Sequence, residues 1–308
     1  MTRTHDPAVE AVPRLTVVVV SLSAPEVTAR CLDALAPQGE DAPVDILVVG
    51  DFGAAPAGAA AVRTRFPTVR WVDAPGSTVP ERRRLGLDRA RGTIVALLED
   101  DCLVPAGWCR SVIRAHAHPS PAIGGPVEPG PYRRALDWAV YFCEYAAFLP
   151  PFAGEVRTLP GNNVTYKRCL VARRGTRDAR HGFLEGPVHD DLLAGGHTLL
   201  ADPALGVRNV NAWQPRHLLS VPFHHGRAFG ARRVENRSRW LRLGWLAVAG
   251  AVPALRVARV IRTVWARPPL RRRLMRALPW VTVFSVSWSL GELIGYASGP
   301  GTSAARWR

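Results

Sequence analysis

The chain has 308 residues, of which 47% are hydrophobic, and a formal net charge of +15 at pH 7. This hydrophobic content excludes an intrinsically disordered chain, and the length suits one catalytic domain with an appendage. The five cysteines include no CxxC pair, which is typical of a reduced, cytosolic protein. The N-terminus is polar and has no apolar core, so no signal peptide is expected.

The positive charge is concentrated in one part of the chain. Residues 1–215 contain 23 Lys and Arg and 23 Asp and Glu, whereas residues 216–276 contain 15 Arg and a single acid, Glu235. In that stretch arginines alternate with apolar blocks such as WLRLGWLAVAGAVPALRVARVI. This pattern is typical of segments that lie at an anionic membrane surface. Since no nucleic-acid-reading motif accompanies the charge, no nucleic-acid partner is predicted.

The first part of the chain alternates predicted strands and helices. Apolar runs predict buried strands at Leu15–Ser23 and Asp45–Gly53, with a helix at Pro25–Ala36 between them. A shorter strand at Val69–Val72 precedes an arginine-rich helix at Pro80–Arg91, and the next strand begins at Ile94. This alternation predicts an α/β fold with a doubly wound, mostly parallel sheet. Ligands of such sheets bind beyond the carboxyl ends of the strands.

Three consecutive carboxylates, Glu99, Asp100 and Asp101, follow the apolar run IVALL. They repel one another unless a cation or solvent screens them. Mg²⁺ and Mn²⁺ prefer such oxygen ligands, usually one or two carboxylates together with substrate phosphates. The alternative is a solvated loop in which Asp101 caps the next helix. Asp51, at the end of the second strand, is expected in the same crevice.

The phosphate-binding motifs of other α/β proteins are missing from the sequence. No GxGxxG follows the first strand, and no GxxxxGK[ST] occurs anywhere. Simple dinucleotide and P-loop sites are therefore excluded. In the second half, a helix with a wide apolar face is predicted at Arg134–Phe148, and Gly161–Asn163 is a turn that leads into a strand.

The ordered segments resemble the nucleotide-sugar-dependent glycosyltransferases of family 2, which have an A-type, Rossmann-like fold. The resemblance covers about residues 15–235. Its segments are VVVVSLS with CLDAL, GDFG in place of a DDGS-like motif, RRRLGLDRARG, LLEDDCLVPAGW around a D-x-D motif, GGPVEPG and GNNVTYKR. The resemblance implies a catalytic domain at 15–235, between a polar tail at 1–14 and an Arg-rich helical appendage at 236–308.

The resemblance also implies roles for the acidic residues. Asp51 would contact the nucleotide base or ribose, Asp100 would face the donor, and Glu99 and Asp101 would hold Mg²⁺ or Mn²⁺ on the diphosphate. Two positions depart from the family pattern. Gly50 replaces the first Asp of the DDGS-like motif, and Glu99 replaces the first Asp of D-x-D.

The family's catalytic base is a carboxylate that opens a helix. The spacing places Glu185 at that position, and Asp190 and Asp191 are alternatives that lie in mid-helix under the same register. His189, four residues after Glu185, is a candidate hydrogen-bond partner for it. Later in the chain Arg227, or one of His224 and His225, is a candidate contact for the donor phosphate.

These inferences predict an inverting, metal-dependent glycosyltransferase that moves a sugar from a nucleoside-diphosphate sugar to a lipid-linked, glycan or polysaccharide acceptor. The alternative is a catalytically silent family member, which acts as a membrane-bound sugar-binding or scaffold protein. The departures at Gly50 and Glu99 motivate this alternative.

The predicted location is the cytoplasmic side of the plasma membrane, either peripheral or with one C-terminal transmembrane helix. Residues 241–261 are interrupted by arginines and Pro253, which is poor for a spanning helix. Residues 277–298 carry one charge, Glu292, and form either a span or a helix packed on the catalytic domain.

Overall fold

The computed structural model describes residues 12–39, 43–171, 182–210, 213–235, 237–303 and 306. Most of the predicted N-terminal tail, residues 1–11, lies outside the described residues. The strands are β1 (Leu15–Val20), β2 (Val44–Gly50), β3 (Arg70–Asp73), β4 (Ile94–Glu99), β5 (Cys102–Leu103), β6 (Ala122–Gly124), β7 (Val127–Pro129), β8 (Gly154–Val156), β9 (Asn163–Lys167), β10 (Leu199–Ala201) and β11 (Val207–Asn209).

The α-helices alternate with these strands at first and then follow one another at the C-terminal end. They are α1 (Pro25–Leu35), α2 (Pro56–Arg65), α3 (Val79–Arg89), α4 (Trp108–Ala115), α5 (Ala135–Tyr145), α6 (Arg168–Val171), α7 (Glu185–Ala194), α8 (His217–Arg233), α9 (Arg239–Val248), α10 (Val252–Trp265) and α11 (Arg271–Ser298).

An eight-stranded sheet forms the centre of the molecule, in the order β3-β2-β1-β4-β9-β6-β10-β8. β1 lies between β2 and β4, is parallel to both, and all six of its residues are buried, five of them apolar and the sixth Thr16. β9 is antiparallel to β4 and β6, and β8 is antiparallel to β10. The mostly parallel sheet predicted from the sequence is confirmed.

The strand register brings the predicted site residues to one edge. Val20 at the end of β1 is level with Val49 of β2 and with Glu99 of β4. Asp51 and Asp101 therefore follow β2 and β4 at the same edge of the sheet. β9 pairs Asn163 with Leu98, so the Gly161–Asn163 turn lies beside the acidic end of β4.

The C-terminal helices are packed through glycines. A methyl carbon added to Gly226 of α8 would lie 2.0 Å from the Trp288 carbonyl oxygen, and one added to Gly291 of α11 would lie 2.0 Å from that of Phe223. The backbones of α8 and α11 are thus in direct contact. This contact joins residues on both sides of the predicted domain boundary at 235, so α8 packs with the appendage.

Within the described residues, two helical stretches are long and apolar enough to cross a membrane, by length and composition alone: Trp240–Trp265 and Pro268–Ser298. The sequence predicts only the second as a candidate span. The two differ in their packing. In the first, 11% of the most apolar 18-residue segment is buried, and in the second 44%.

Candidate active site

A cavity of about 270 Å³ lies beyond the carboxyl ends of β1 and β2. Its wall includes Ser23 and Thr28 on the β1–α1 side and Asp51, Phe52 and Trp71 on the β2–β3 side. The lining is mostly apolar with a few polar groups, which is typical of a small-molecule site. Its place at the edge of the parallel strands is where ligands of α/β sheets bind.

Asp51 lies in the wall of this cavity. Its Oδ2 accepts a hydrogen bond from the Gly76 amide at 2.9 Å, and its Oδ1 accepts one from the Gly53 amide at 3.3 Å. The carboxylate is thus held by two backbone groups and stays partly exposed. This position is compatible with the predicted contact to a base or ribose, which stays a prediction.

Packing explains why Gly50 stands where the DDGS-like motif has its first aspartate. A methyl carbon on Gly50 would lie 2.9 Å from the Ser21 Cβ and 3.0 Å from the ring of Phe52. The Phe52 ring meets the Trp71 ring edge-on with centroids 5.5 Å apart, and the Arg63 guanidinium lies 4.7 Å from the Phe52 centroid. An aromatic cluster therefore fills the space where the family pattern has an aspartate side chain.

Asp100 points into the protein. It is fully buried, and its carboxylate accepts hydrogen bonds from the Leu22 amide (3.1 Å), the Ser23 amide (3.1 Å), the Ser23 hydroxyl (3.1 Å) and the Thr28 hydroxyl (2.8 Å). Burial raises its pKa, and these hydrogen bonds oppose the rise. The predicted orientation of Asp100 toward the donor stays a prediction. Here its side chain fixes the start of α1, because Leu22 and Ser23 of the β1–α1 loop supply three of the hydrogen bonds and Thr28 of α1 supplies the fourth.

Glu99 and Glu185 meet at one arginine. The Arg83 Nη2 lies 2.7 Å from Glu99 Oε1, and its Nη1 contacts Glu185 Oε1. Burial lowers the pKa of Arg83, but the charges of Glu185 and Glu99 more than offset this and the pKa is raised. For Glu99, burial raises the pKa and the neighbouring Arg83 only partly counteracts it.

Asp101 is buried beside these groups, with a relative exposure of 5%. Burial, together with the charges of Glu99 and Asp100, raises its pKa to about 7. Burial is the larger cause, and the repulsion that the sequence predicts for three adjacent carboxylates adds to it. The Asp101 carbonyl accepts the Val210 amide at 2.8 Å, so β11 fixes the backbone of this segment.

The donor chemistry of Glu99 and Asp101 fits a hard divalent cation. Both are carboxylates at the same strand end, and a bound cation would offset the burial and the mutual repulsion that raise their pKa values. Among the described residues, no group of three or more His, Cys, Asp or Glu side chains is arranged to hold a metal by itself. A two-carboxylate site completed by substrate phosphates agrees with both observations.

Two residues of the site were not predicted from the sequence. Arg83 belongs to the arginine-rich helix, and its signal was the segment RRRLGLDRARG, one of those that resemble the family. Glu144 of α5 lies close enough for the charges of Glu99 and Asp101 to add to the effect of burial, and its pKa is raised to about 8. Its signal was a single acid within the apolar run WAVYFCEYAAF.

The remaining predicted residues lie elsewhere. Asp190 and Asp191 are exposed on α7, whereas Glu185 at its first turn is mostly buried against Arg83. The arrangement thus gives no support to Asp190 or Asp191 as the base, and that choice stays a prediction. His189 is buried and pairs through Nε2 with the Tyr166 hydroxyl at 3.0 Å instead of with Glu185.

Arg227 and His224 contact the C-terminal end of the chain. The Arg227 Nε donates to the Gly299 carbonyl at 3.0 Å, just after α11, and His224 Nδ1 lies 2.9 Å from the Ser303 hydroxyl. The carbonyls at a helix end are natural partners for an arginine. The predicted phosphate contact of Arg227 finds no support in this position.

A sequence model of glycosyl transferase family 2 matches residues 16–170, half of the chain. The chain belongs to this family. It is 26% identical over 276 residues to the succinoglycan biosynthesis protein ExoM of Rhizobium meliloti (strain 1021), which covers 84% of this chain and 87% of that protein. This family 2 member is a glycosyltransferase that uses a nucleotide-sugar donor.

A solved structure has the same fold. The mannosyltransferase PcManGT from Pyrobaculum calidifontis, in complex with GDP-Man and Mn²⁺, superposes with a TM-score of 0.57 at 16% identity and covers 91% of this chain and 87% of that one. The predicted A-type fold of the family 2 member is therefore confirmed, with C-terminal helices that are long and apolar enough to span a membrane.

Proposed function

We propose that this glycosyltransferase is an inverting, metal-dependent enzyme that transfers a sugar to a lipid-linked or glycan acceptor during polysaccharide synthesis. The observation that carries the proposal is the convergence of Glu185 and Glu99 on Arg83, at the same edge of the sheet as the cavity that Asp51 lines. The name of the ExoM relative supports polysaccharide synthesis, and the Mn²⁺ in the PcManGT complex supports metal use.

In the proposed mechanism, the nucleoside occupies the cavity beside Asp51, and Glu99 and Asp101 hold Mg²⁺ or Mn²⁺. The metal would neutralise charge on the leaving diphosphate. Glu185 accepts the proton of the acceptor hydroxyl as that oxygen attacks the anomeric carbon. Because attack comes from the face opposite the diphosphate, the configuration at that carbon is inverted. Asp100 keeps the β1–α1 loop in place beside the donor.

The first experiment identifies the donor and then tests the residues. A thermal-shift screen of nucleoside diphosphates and nucleotide sugars, with and without Mn²⁺, selects the donor. We expect transfer or hydrolysis of that donor to require the metal and to fall about 100-fold or more in Glu99→Ala, Asp101→Ala and Glu185→Ala. Full activity in all three variants would contradict the proposal. Metal-dependent donor binding without turnover on a broad acceptor panel would instead favour the silent, scaffold-like alternative.

The membrane part of the proposal rests on one exposed surface. Among the described residues, the large hydrophobic side chains that are exposed lie on the C-terminal helices, with the exception of Val12. We call those of α9, α10 and α11 the docking face: Trp240, Leu241, Leu243, Val248, Leu255, Trp265, Met275, Trp280, Val283, Val286, Leu290 and Ile294. In α11 its members from Trp280 onward recur every three or four residues and form one stripe. An apolar surface of this extent marks an interaction site.

Charge supports an anionic membrane as the occupant of the docking face. Exposed arginines accompany the apolar side chains on α9, α10 and α11, among them Arg242, Arg259, Arg262, Arg272 and Arg276. The other side of α11 is committed to α8, where Glu292 pairs with Arg233 at 2.7 Å. We therefore favour a peripheral position on the cytoplasmic side of the plasma membrane over a span by residues 277–298.

A further inference from the structure

The Arg83 side chain connects two carboxylates that come from distant parts of the chain. Glu99 ends β4, and Glu185 begins α7, 102 residues after Arg83. The side chains of Arg83, Glu99 and Glu185 are 7%, 13% and 15% exposed. The buried guanidinium of Arg83 thus forms ion pairs with two largely buried carboxylates. Each carboxylate would lose this partner if the guanidinium were removed.

We call Arg83, Glu99 and Glu185 the triad. The backbone around it fixes the distance between α3 and the start of α7. The Phe183 amide donates to the Pro80 carbonyl at 2.8 Å, which ties the segment before α7 to the first turn of α3. Gly182 in the same segment has φ of +72°, and a methyl carbon there would lie 2.4 Å from the Pro80 carbonyl carbon. The helix that carries Arg83 and the residue that begins α7 are therefore held together independently of the ion pairs.

A third segment closes the triad from the side. A methyl carbon on Gly161 would lie 2.3 Å from Glu185 Oε1 and 3.2 Å from the Arg83 Nη2. The turn at Gly161 therefore packs directly on the ion pair. Glu185 is confined between the guanidinium of Arg83 and the backbone of this turn, so its carboxylate has little freedom to choose another position.

We propose that Arg83 is a positioning residue of the transfer reaction, which sets the place of the base Glu185 relative to the metal ligand Glu99. This inference rests on the proposed function of both carboxylates. Arg83 acts through them, because its Nη1 and Nη2 atoms already pair with Glu185 and Glu99. A base that is displaced by 1 Å from the attacking hydroxyl can lose about 100-fold in rate.

A double-mutant cycle on kcat tests the coupling to Glu185. We expect Arg83→Met to lower kcat about 10- to 100-fold at saturating donor and Mn²⁺, and Glu185→Gln to lower it at least as much. If Arg83 acts through Glu185, the double variant stays within about threefold of Glu185→Gln alone, since residues that act as a unit are not additive. Losses that multiply in the double variant would overturn the proposal.

A second cycle tests the coupling to Glu99 and needs no turnover. The readout is the Mn²⁺ concentration that gives half of the thermal shift with the nucleoside diphosphate, among UDP, GDP, ADP, CDP and dTDP, that shows the largest Mn²⁺-dependent shift. We expect Arg83→Met to change this concentration at least threefold in the wild-type background and not in Glu99→Gln. An equal change in both backgrounds would contradict the coupling.

Arg84→Met is the matched control for both cycles. Arg84 lies on the same helix but pairs with Asp88, outside the triad, at 2.7 Å. We expect this variant to keep the kcat and the Mn²⁺ dependence of the wild type. A total lack of turnover in the wild type would remove the proposed function, whereas the Mn²⁺ cycle would still decide the position of Glu99.

Discussion

At the residue scale, the place of each site side chain depends on the strand end or the helix face that carries it. Glu99, Asp101 and Asp51 were found because a buried parallel strand fixes where its last residues lie. The three consecutive arginines of α3 give no such indication. Arg82 turns to the Ser21 carbonyl at 2.6 Å, Arg83 turns to the carboxylates, and Arg84 turns to Asp88. Their directions depend on how α3 sits on the sheet, which local sequence does not specify.

The packing of Gly161 against Glu185 leads to a prediction at this scale. Gly161→Ala would place a methyl carbon 2.3 Å from Glu185 Oε1, so the carboxylate must move. We expect kcat to fall about 10- to 100-fold, because the base is displaced while every charge is kept. The stability loss should be about 1–3 kcal/mol, as for other overpacked sites. Initial rates and urea unfolding measure the two effects.

Gly186→Ala is the control for this prediction. Gly186 follows Glu185 in the first turn of α7, and a methyl carbon there meets no atom within 4 Å. It should leave kcat unchanged and stabilise the helix slightly, by up to about 1 kcal/mol. Equal rates in Gly161→Ala and the wild type would show that Glu185 tolerates displacement, and would count against its role as the base.

At the element scale, the sequence predicted the strands of the sheet better than the packing of the last helix. Hydropathy treats residues 277–298 as one apolar segment, which leaves a membrane span and a packed helix both open. The sequence does contain Gly226 and Gly230, and Gly291 and Gly295, each pair separated by four positions, which is a spacing used in close helix contacts. It does not show that these two helices are partners, because that depends on the tertiary arrangement.

The contact between α8 and α11 predicts strong sensitivity at its glycines. Gly291→Leu would force a side chain into the Phe223 carbonyl and the Arg227 amide, which lie 2.0 and 2.9 Å from the added methyl carbon. We expect a loss of about 3 kcal/mol or more in unfolding free energy and faster proteolysis of the C-terminal helices. Gly250→Leu, where nothing lies within 4 Å, should change neither quantity. Equal stability of the two variants would mean that the helices do not pack as described.

At the scale of the whole molecule, two buried histidines make stability depend on pH. Burial lowers the pKa values of His116 and His189 from 6.5 to about 4. Below pH 6.5 the unfolded chain takes up protons that the folded chain does not, so their contribution falls as the pH drops toward 4. Each is worth on the order of 3 kcal/mol over this range. Asp101, whose pKa is raised to about 7, works in the opposite direction.

Comparison of variants separates these opposing contributions. The double variant His116→Gln/His189→Gln should lose less stability between pH 6.5 and 4 than the wild type, because the acidic groups are common to both proteins. Urea unfolding at a series of pH values measures the difference. Parallel pH profiles for the two proteins would show that the histidines are not held in their neutral form.

The concentration of arginines beside the docking face predicts how this protein binds membranes. α9 presents Trp240, Leu243 and Val248 with relative exposures of 81%, 54% and 50%, and each apolar side chain transferred into a membrane contributes about 1.5–3 kcal/mol. The triple variant to serine should therefore bind vesicles that contain phosphatidylglycerol at least about 100-fold more weakly in a flotation assay. Val12→Ser removes an exposed apolar side chain outside the C-terminal helices and should have no effect.

Because exposed arginines provide the attraction to the anionic surface, added salt should weaken wild-type binding, and neutral phosphatidylcholine vesicles should bind poorly. A wild-type chain that remains with the membrane in high salt and alkaline carbonate would instead indicate a spanning helix, because a peripheral protein is released under those conditions.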